Sequence, residues 1–257
     1  MIRFRPALFL FILFGISSDA FACSGPFDIV CNVGKTVEKA VHDVGKSVEK
    51  AAQDIGKPLT PVRDFLRADQ IPPPEAGAYG LVVFQSKSTS ASKSKLLMVC
   101  KAFVAFFPRN ETATVPIQDR MITIWPIYDP NSEKAKADDC DFVVDNYDLN
   151  ASEAAINDAK RQHATFEGEG PYLIGWSPSD TRGHADKLVL VVDMSVDNNQ
   201  ETIDHHFLFW KNKIVEDPSA WRSGFSVERV RIAIHDFANQ YGQDMLDAIK
   251  LIGDKKP

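Results

Sequence analysis

The hydrophobic pattern of the chain changes period three times. Residues Ala7 to Ile16 form one short apolar run behind Arg3 and Arg5. Residues 33–43 (VGKTVEKAVHD) and 44–54 (VGKSVEKAAQD) then repeat each other, and Ile55-Gly56-Lys57 opens a third copy. At about 100° per residue, Val33, Val37, Ala40, Val44, Val48, Ala51 and Ile55 share one narrow stripe, with lysines opposite. This predicts an amphipathic helix that Pro58 stops. The stripe lacks Trp, Phe and Leu. Its grip on a bilayer would therefore be weak, and a spacer, a partner helix or self-association fits it better than a membrane surface. The 11-residue period is a hendecad, slightly above the ~3.6 residues per turn of a straight helix, so a partner helix paired over this stripe would supercoil with it right-handedly.

Residues 60–67 (TPVRDFLR) read as a short helix, with Thr60 as N-cap and Pro61 in the first turn. Pro72-Pro73-Pro74 and Gly77 make 71–78 a stiff linker. Beyond it, apolar runs predict strands at 79–85, 96–107, 120–127, 140–144, 171–176 and 187–193. Helices are expected over 151–162, capped by Asn150 with Glu153, and over about 200–212. A final helix follows Ser226, with Val227, Val230, Ile234, Phe237, Tyr241, Met245 and Ile249 on its apolar face. The expected fold class is α+β or mixed α/β: an N-terminal amphipathic helix (23–70), then one layered α/β sandwich domain over 79–252. A strand–helix–strand unit over 140–176 would be parallel. The uninterrupted LVLVV run implies a strand covered on both faces.

Composition adds mainly exclusions. The 257 residues are 44% hydrophobic and 25% charged, ordinary globular values. A net charge of −6 provides no basic field for nucleic acid. The order of basic, apolar and small residues, ending in Ala20-Phe21-Ala22, is that of a cleavable secretory signal over 1–22. The apolar run is about half the roughly 20 residues a membrane span needs. A lipid-anchored Cys23 would want a smaller residue than Phe21 at its position. The expected compartment is the periplasm or beyond. There, four cysteines (Cys23, Cys31, Cys100, Cys140) point to two disulfides, and short loops favour Cys23–Cys31 and Cys100–Cys140. Their spacing lacks the paired C-x-x-C of a zinc site.

Four constellations could carry chemistry. Gly175-Trp176-Ser177-Pro178-Ser179 approaches a nucleophile elbow, but Pro178 has no N–H for an oxyanion hole. Asp193, Ser195, Asp197, Asn199, Glu201 and Asp204 fall at positions 1, 3, 5, 7, 9 and 12 of a calcium loop, the one cofactor reading the sequence offers. Asn198 stands there in place of the turn glycine, and Asp204 in place of the bidentate glutamate. The competing reading is a turn followed by a helix cap. His205 and His206 are adjacent and cannot share one helical face as zinc ligands. Trp210 and Trp221 read as core anchors.

These patterns suggest an exported, disulfide-containing binding or interaction protein without catalytic activity. A metal-dependent enzyme built on 193–204, and an envelope protein held by Cys23 or the repeat helix, are the alternatives. Protein recovered from the exporting cell's outer compartment is expected to begin at Cys23 and to contain no free thiol. Intact mass spectrometry with and without alkylation checks both points, and an N-terminus at Met1 would refute them.

Overall fold

The computed structural model describes residues 61–253. The leader, Cys23, Cys31 and the 33–57 repeat lie outside the described residues. The rest is a mixed α+β layered sandwich around a six-stranded sheet of order β1-β3-β2-β4-β5-β6. The strands are β1 (Val62–Leu66), β2 (Ala78–Val83), β3 (Met121–Pro126), β4 (Tyr172–Trp176), β5 (Val189–Asp193) and β6 (Ile249–Ile252). β1 and β2 both run parallel to β3, and the other three pairings are antiparallel. Seven α-helices occur among the described residues: α1 (Lys93–Phe106), α2 (Glu133–Lys136), α3 (Cys140–Asp145), α4 (Leu149–Arg161), α5 (Gln200–Phe209), α6 (Val227–Tyr241) and α7 (Asp244–Ala248). α4 covers one face of the sheet with Ala155, Ile156 and Ala159. α1, α3, α5 and α6 cover the other, over a larger core containing Trp125, Trp210 and Trp221.

Several expectations are corrected. Residues 62–66 are a strand of the sheet and not a helix ahead of a linker. Five residues behind a proline cannot sustain a helix, and pairing to β3 buries Val62 and Phe65 instead. The sheet therefore begins before the Pro-rich segment. The apolar run 96–107 belongs to helix α1. Leu96, Val99, Cys100, Phe103 and Ala102 are its buried side chains, which is helical spacing, and twelve residues are too many for a typical strand. Residues 140–145 are helix α3, because Asp139 accepts the Phe142 N–H at 3.1 Å and caps it. No parallel unit spans 140–176, since β4 pairs antiparallel with β2. Helix α4 is capped by Asp148, not Asn150. The last helix stops at Tyr241, where Gly242 takes φ 112°, so Met245 belongs to α7 and Ile249 opens β6. The strands at 79–85, 120–127, 171–176 and 187–193 are present within a residue or two of their expected bounds.

One row of side chains crosses the sheet: Arg63, Thr123, Gly80, Gly175, Leu190 and Leu251 are successive cross-strand partners. The glycines at its centre leave a slot filled by the Trp210 indole, and a methyl group built on either would overlap the ring. Trp210 Nε1 donates to Thr123 Oγ1 at 3.1 Å in the same row. The ring hangs from a π-helical turn (Trp210–Val215) that continues α5. At the row's end the buried Arg63 guanidinium lies 2.7 Å from Asp138, which also binds Arg109 at 2.7 Å. The Cys100–Cys140 disulfide joins α1 to α3 on the same side.

Gly80→Ala is expected to lower unfolding free energy by about 1–3 kcal/mol, the range for an overpacked core. A urea denaturation curve reads this, and an unshifted midpoint would mean that the indole yields without resistance.

Candidate functional site

The chain leaves β5 through the 194–199 loop, and helix α5 starts at Gln200. The six residues at calcium-loop positions run from the end of β5 (Asp193) through this loop into α5 (Glu201 and Asp204). Asp193 Oδ1 accepts the Ser195 N–H at 2.8 Å and the Ser195 hydroxyl as well. The Asn199 side chain accepts the Thr202 N–H at 2.9 Å and caps α5. Asp204 accepts from Gln200 Nε2 at 2.8 Å, within the helix. Asp197 Oδ2 lies 2.8 Å from His206 Nε2. The oxygens thus face separate partners instead of converging. Among the described residues, no three His, Cys, Asp or Glu groups are gathered to hold a metal.

The loop has a resident positive charge in Lys95 of α1. Its Nζ donates to the Ser195 carbonyl at 2.5 Å. Burial pushes its pKa below the ordinary lysine value, while Asp197 and Asp193 pull it back. An ammonium thus supplies part of the compensation that the loop's acidic spacing suggested for a metal. The sequence gives little warning of this, because Lys95 is about a hundred residues away in a Ser/Lys-rich stretch that reads as a solvated loop.

Two clefts flank the loop. One, of about 350 Å³, opens on the Lys95 side between Ser92, Glu169 and Ser195. The other, of about 320 Å³, lies between the loop, α5 and the C-terminal helices, and is lined by Asp197, His205, His206, Tyr241, Asp244 and Met245. The histidines part company here. His206 is 1% exposed, whereas His205 packs against Tyr241 with tilted rings whose centroids are 4.4 Å apart. Tyr241 in turn stacks on Phe237 at 4.2 Å. Asp197 Oδ2 and His206 Nδ1 are both buried without a hydrogen-bond partner. Asp197 Oδ2 and His206 Nε2 approach to 2.8 Å without the alignment of a hydrogen bond. Buried polar atoms are nearly always paired, so two such atoms beside one cleft mark it out.

The other constellations are structural. Ser177 donates its hydroxyl to the Trp221 carbonyl inside the core, and no histidine is among its hydrogen-bond partners. On the opposite face, Asp158 binds both Arg161 and Arg182 beside a cleft of about 360 Å³. Tyr79 lies under Arg182 there, and burial pushes its hydroxyl up to about 12. Trp210 and Trp221 are fully buried core anchors, as expected. Tyr241 was legible only as a core position of the last helix, and Asp244 carried no signal at all. Comparison with known protein families, with curated proteins and with solved structures finds no match.

Lys95→Ala is expected to leave Asp193 and Asp197 uncompensated and to lower stability by about 1–2 kcal/mol, the worth of a charge-assisted hydrogen bond. Neither the variant nor the parent protein should show a calcium-dependent rise in melting temperature, because the loop's oxygens face separate partners. Differential scanning calorimetry with calcium and with chelator measures both, and a calcium response of the parent would restore the metal reading of 193–204.

Proposed function

We propose that this protein is an exported, non-catalytic binding protein whose ligand seats in the cleft between the 194–199 loop and helices α5, α6 and α7. The observation that carries the reading is the pair of unsatisfied buried atoms, Asp197 Oδ2 and His206 Nδ1, beside that cleft. Leaving a buried polar group without a partner costs about 1–3 kcal/mol, and a bound ligand that pairs with it offsets that penalty. A preformed concavity with a few convergent polar groups is the usual form of a small-ligand site.

Two further features support the reading. Ser177, the serine read as a possible nucleophile, is committed to the Trp221 carbonyl, and Ser195 beside the loop is committed to Asp193. The Cys100–Cys140 bridge suits an oxidising compartment, in keeping with the leader read from residues 1–22.

A thermal-shift screen against amines, carboxylates, sugars and divalent ions tests this. At least one class should raise the melting temperature in a concentration-dependent way, with stabilisation of about 2.7 kcal/mol at a hundredfold excess over Kd. Thr202→Trp, which fills the cleft, should remove the effect. Chemical conversion of a stabilising ligand, above all one that needs a divalent ion, would overturn the non-catalytic reading in favour of an enzyme.

A further inference from the structure

From the lining of the same cleft we infer that the ligand presents an alkylammonium group, that is, a small primary amine in its charged form. This rests on the binding reading above and specifies the chemistry it takes. Asp197 Oδ2 is buried and makes no well-aligned hydrogen bond. Its carboxylate lies 2.8 Å from His206 Nε2, which favours the tautomer with the proton on that nitrogen, so that this proton already serves the oxygen in part. His206 Nδ1 is then the buried acceptor that no donor reaches. An orphaned acceptor beside a cleft that also carries the Asp197 and Asp244 carboxylates calls for a compact cation with N–H donors, and an ammonium carries three.

The rest of the lining agrees. Asp244 adds a carboxylate at the rim, and the lining contains no lysine or arginine. Lys95 meets Asp197 from the other side of the loop and lines the other cleft. The N-terminus of α5, which would otherwise favour an anion, is capped by Asn199. The Tyr241 and His205 rings, tilted against each other, provide an aromatic wall, and a tyrosine face attracts a cation. Met245 offers an apolar surface for an alkyl chain. An anion would meet Asp197 and Asp244 with nothing positive opposite them in this cleft. A neutral alcohol could donate to the imidazole nitrogen but would gain no charge attraction from the two carboxylates.

The test is a titration of the full-length protein with n-butylammonium, butanol and butyrate. Binding is followed by NMR of the histidine and tyrosine ring protons. Butylammonium should bind with a millimolar dissociation constant, reasonable for a ligand of about five heavy atoms, and should shift the His206 and Tyr241 signals. Asp244→Asn should weaken it about threefold, as loss of a half-exposed ion pair does. Tyr241→Leu should weaken it by a similar factor of about three through loss of the ring face. Both positions are at least partly exposed, so both variants should fold. Asp186→Asn, an exposed carboxylate outside this lining, should change nothing, which separates the cleft from the general negative charge. Butyrate or butanol binding as tightly at the same signals would overturn the ammonium assignment and leave the binding reading standing. Shifts confined to other signals, or an Asp186→Asn loss equal to that of Asp244→Asn, would overturn the assignment too. No shift from any probe, together with an empty thermal-shift screen, would remove both readings.

Discussion

The architecture turns on one indole. Trp210 lies across the centre of the sheet because Gly80 and Gly175, paired on adjacent strands, carry no side chain there. Glycine inside a strand ordinarily weakens it, and here the loss is offset by burying the largest side chain available. The ring's hydrogen bond to Thr123 sets its orientation as well as its depth. Since Trp210 continues α5, its seating sets how that helix lies on the sheet. The Trp210 N–H bonds the carbonyl of His206, one turn earlier, so the two side chains share a face. The anchor that closes the core therefore also carries the imidazole inward to meet Asp197. The polar cleft is a by-product of an apolar fit.

The two sides of the sheet play unequal parts. The α4 side is thin and is closed by small residues such as Ala155 and Ala159 under Tyr79 and Trp176. The other side is thick, and its helices pack on one another as well as on the strands. Clefts beside the 194–199 loop arise where these helices diverge past the end of β5. Two charge clusters tie loops to this thicker layer, Arg63 and Arg109 around Asp138, and Lys95 with Asp193 and Asp197, while Asp158 with Arg161 and Arg182 does so on the α4 side.

The strands most legible in the sequence are those buried on both faces, such as Val189–Asp193, where an unbroken apolar run leaves few alternatives. The elements that differ from expectation are chiefly apolar runs with a concealed or weak period. LLMVCKAFVAFF is dense enough to hide the helical spacing of Leu96, Val99, Cys100 and Phe103. Val62–Leu66 has little local preference, and its strand state comes from β3, more than fifty residues away. Terminal caps were legible wherever one side chain decides the matter, as at Ser226, and misplaced where two neighbours compete, as at Asp148 and Asn150. The site was half legible. The 193–206 segment stood out as unusual in its acidic residues and histidines. What those residues do depends on Lys95, Tyr241 and Asp244, which join them only through the fold.

The bridge between Cys100 and Cys140 closes a loop of 40 residues. Denying the unfolded chain that loop's freedom is worth about 4 kcal/mol in the chain-entropy account. Domains of this kind hold a total margin of only about 5–15 kcal/mol. Breaking this one bond would thus remove a large share of the domain's margin and leave the packing between α1 and α3 to hold that corner of the fold alone.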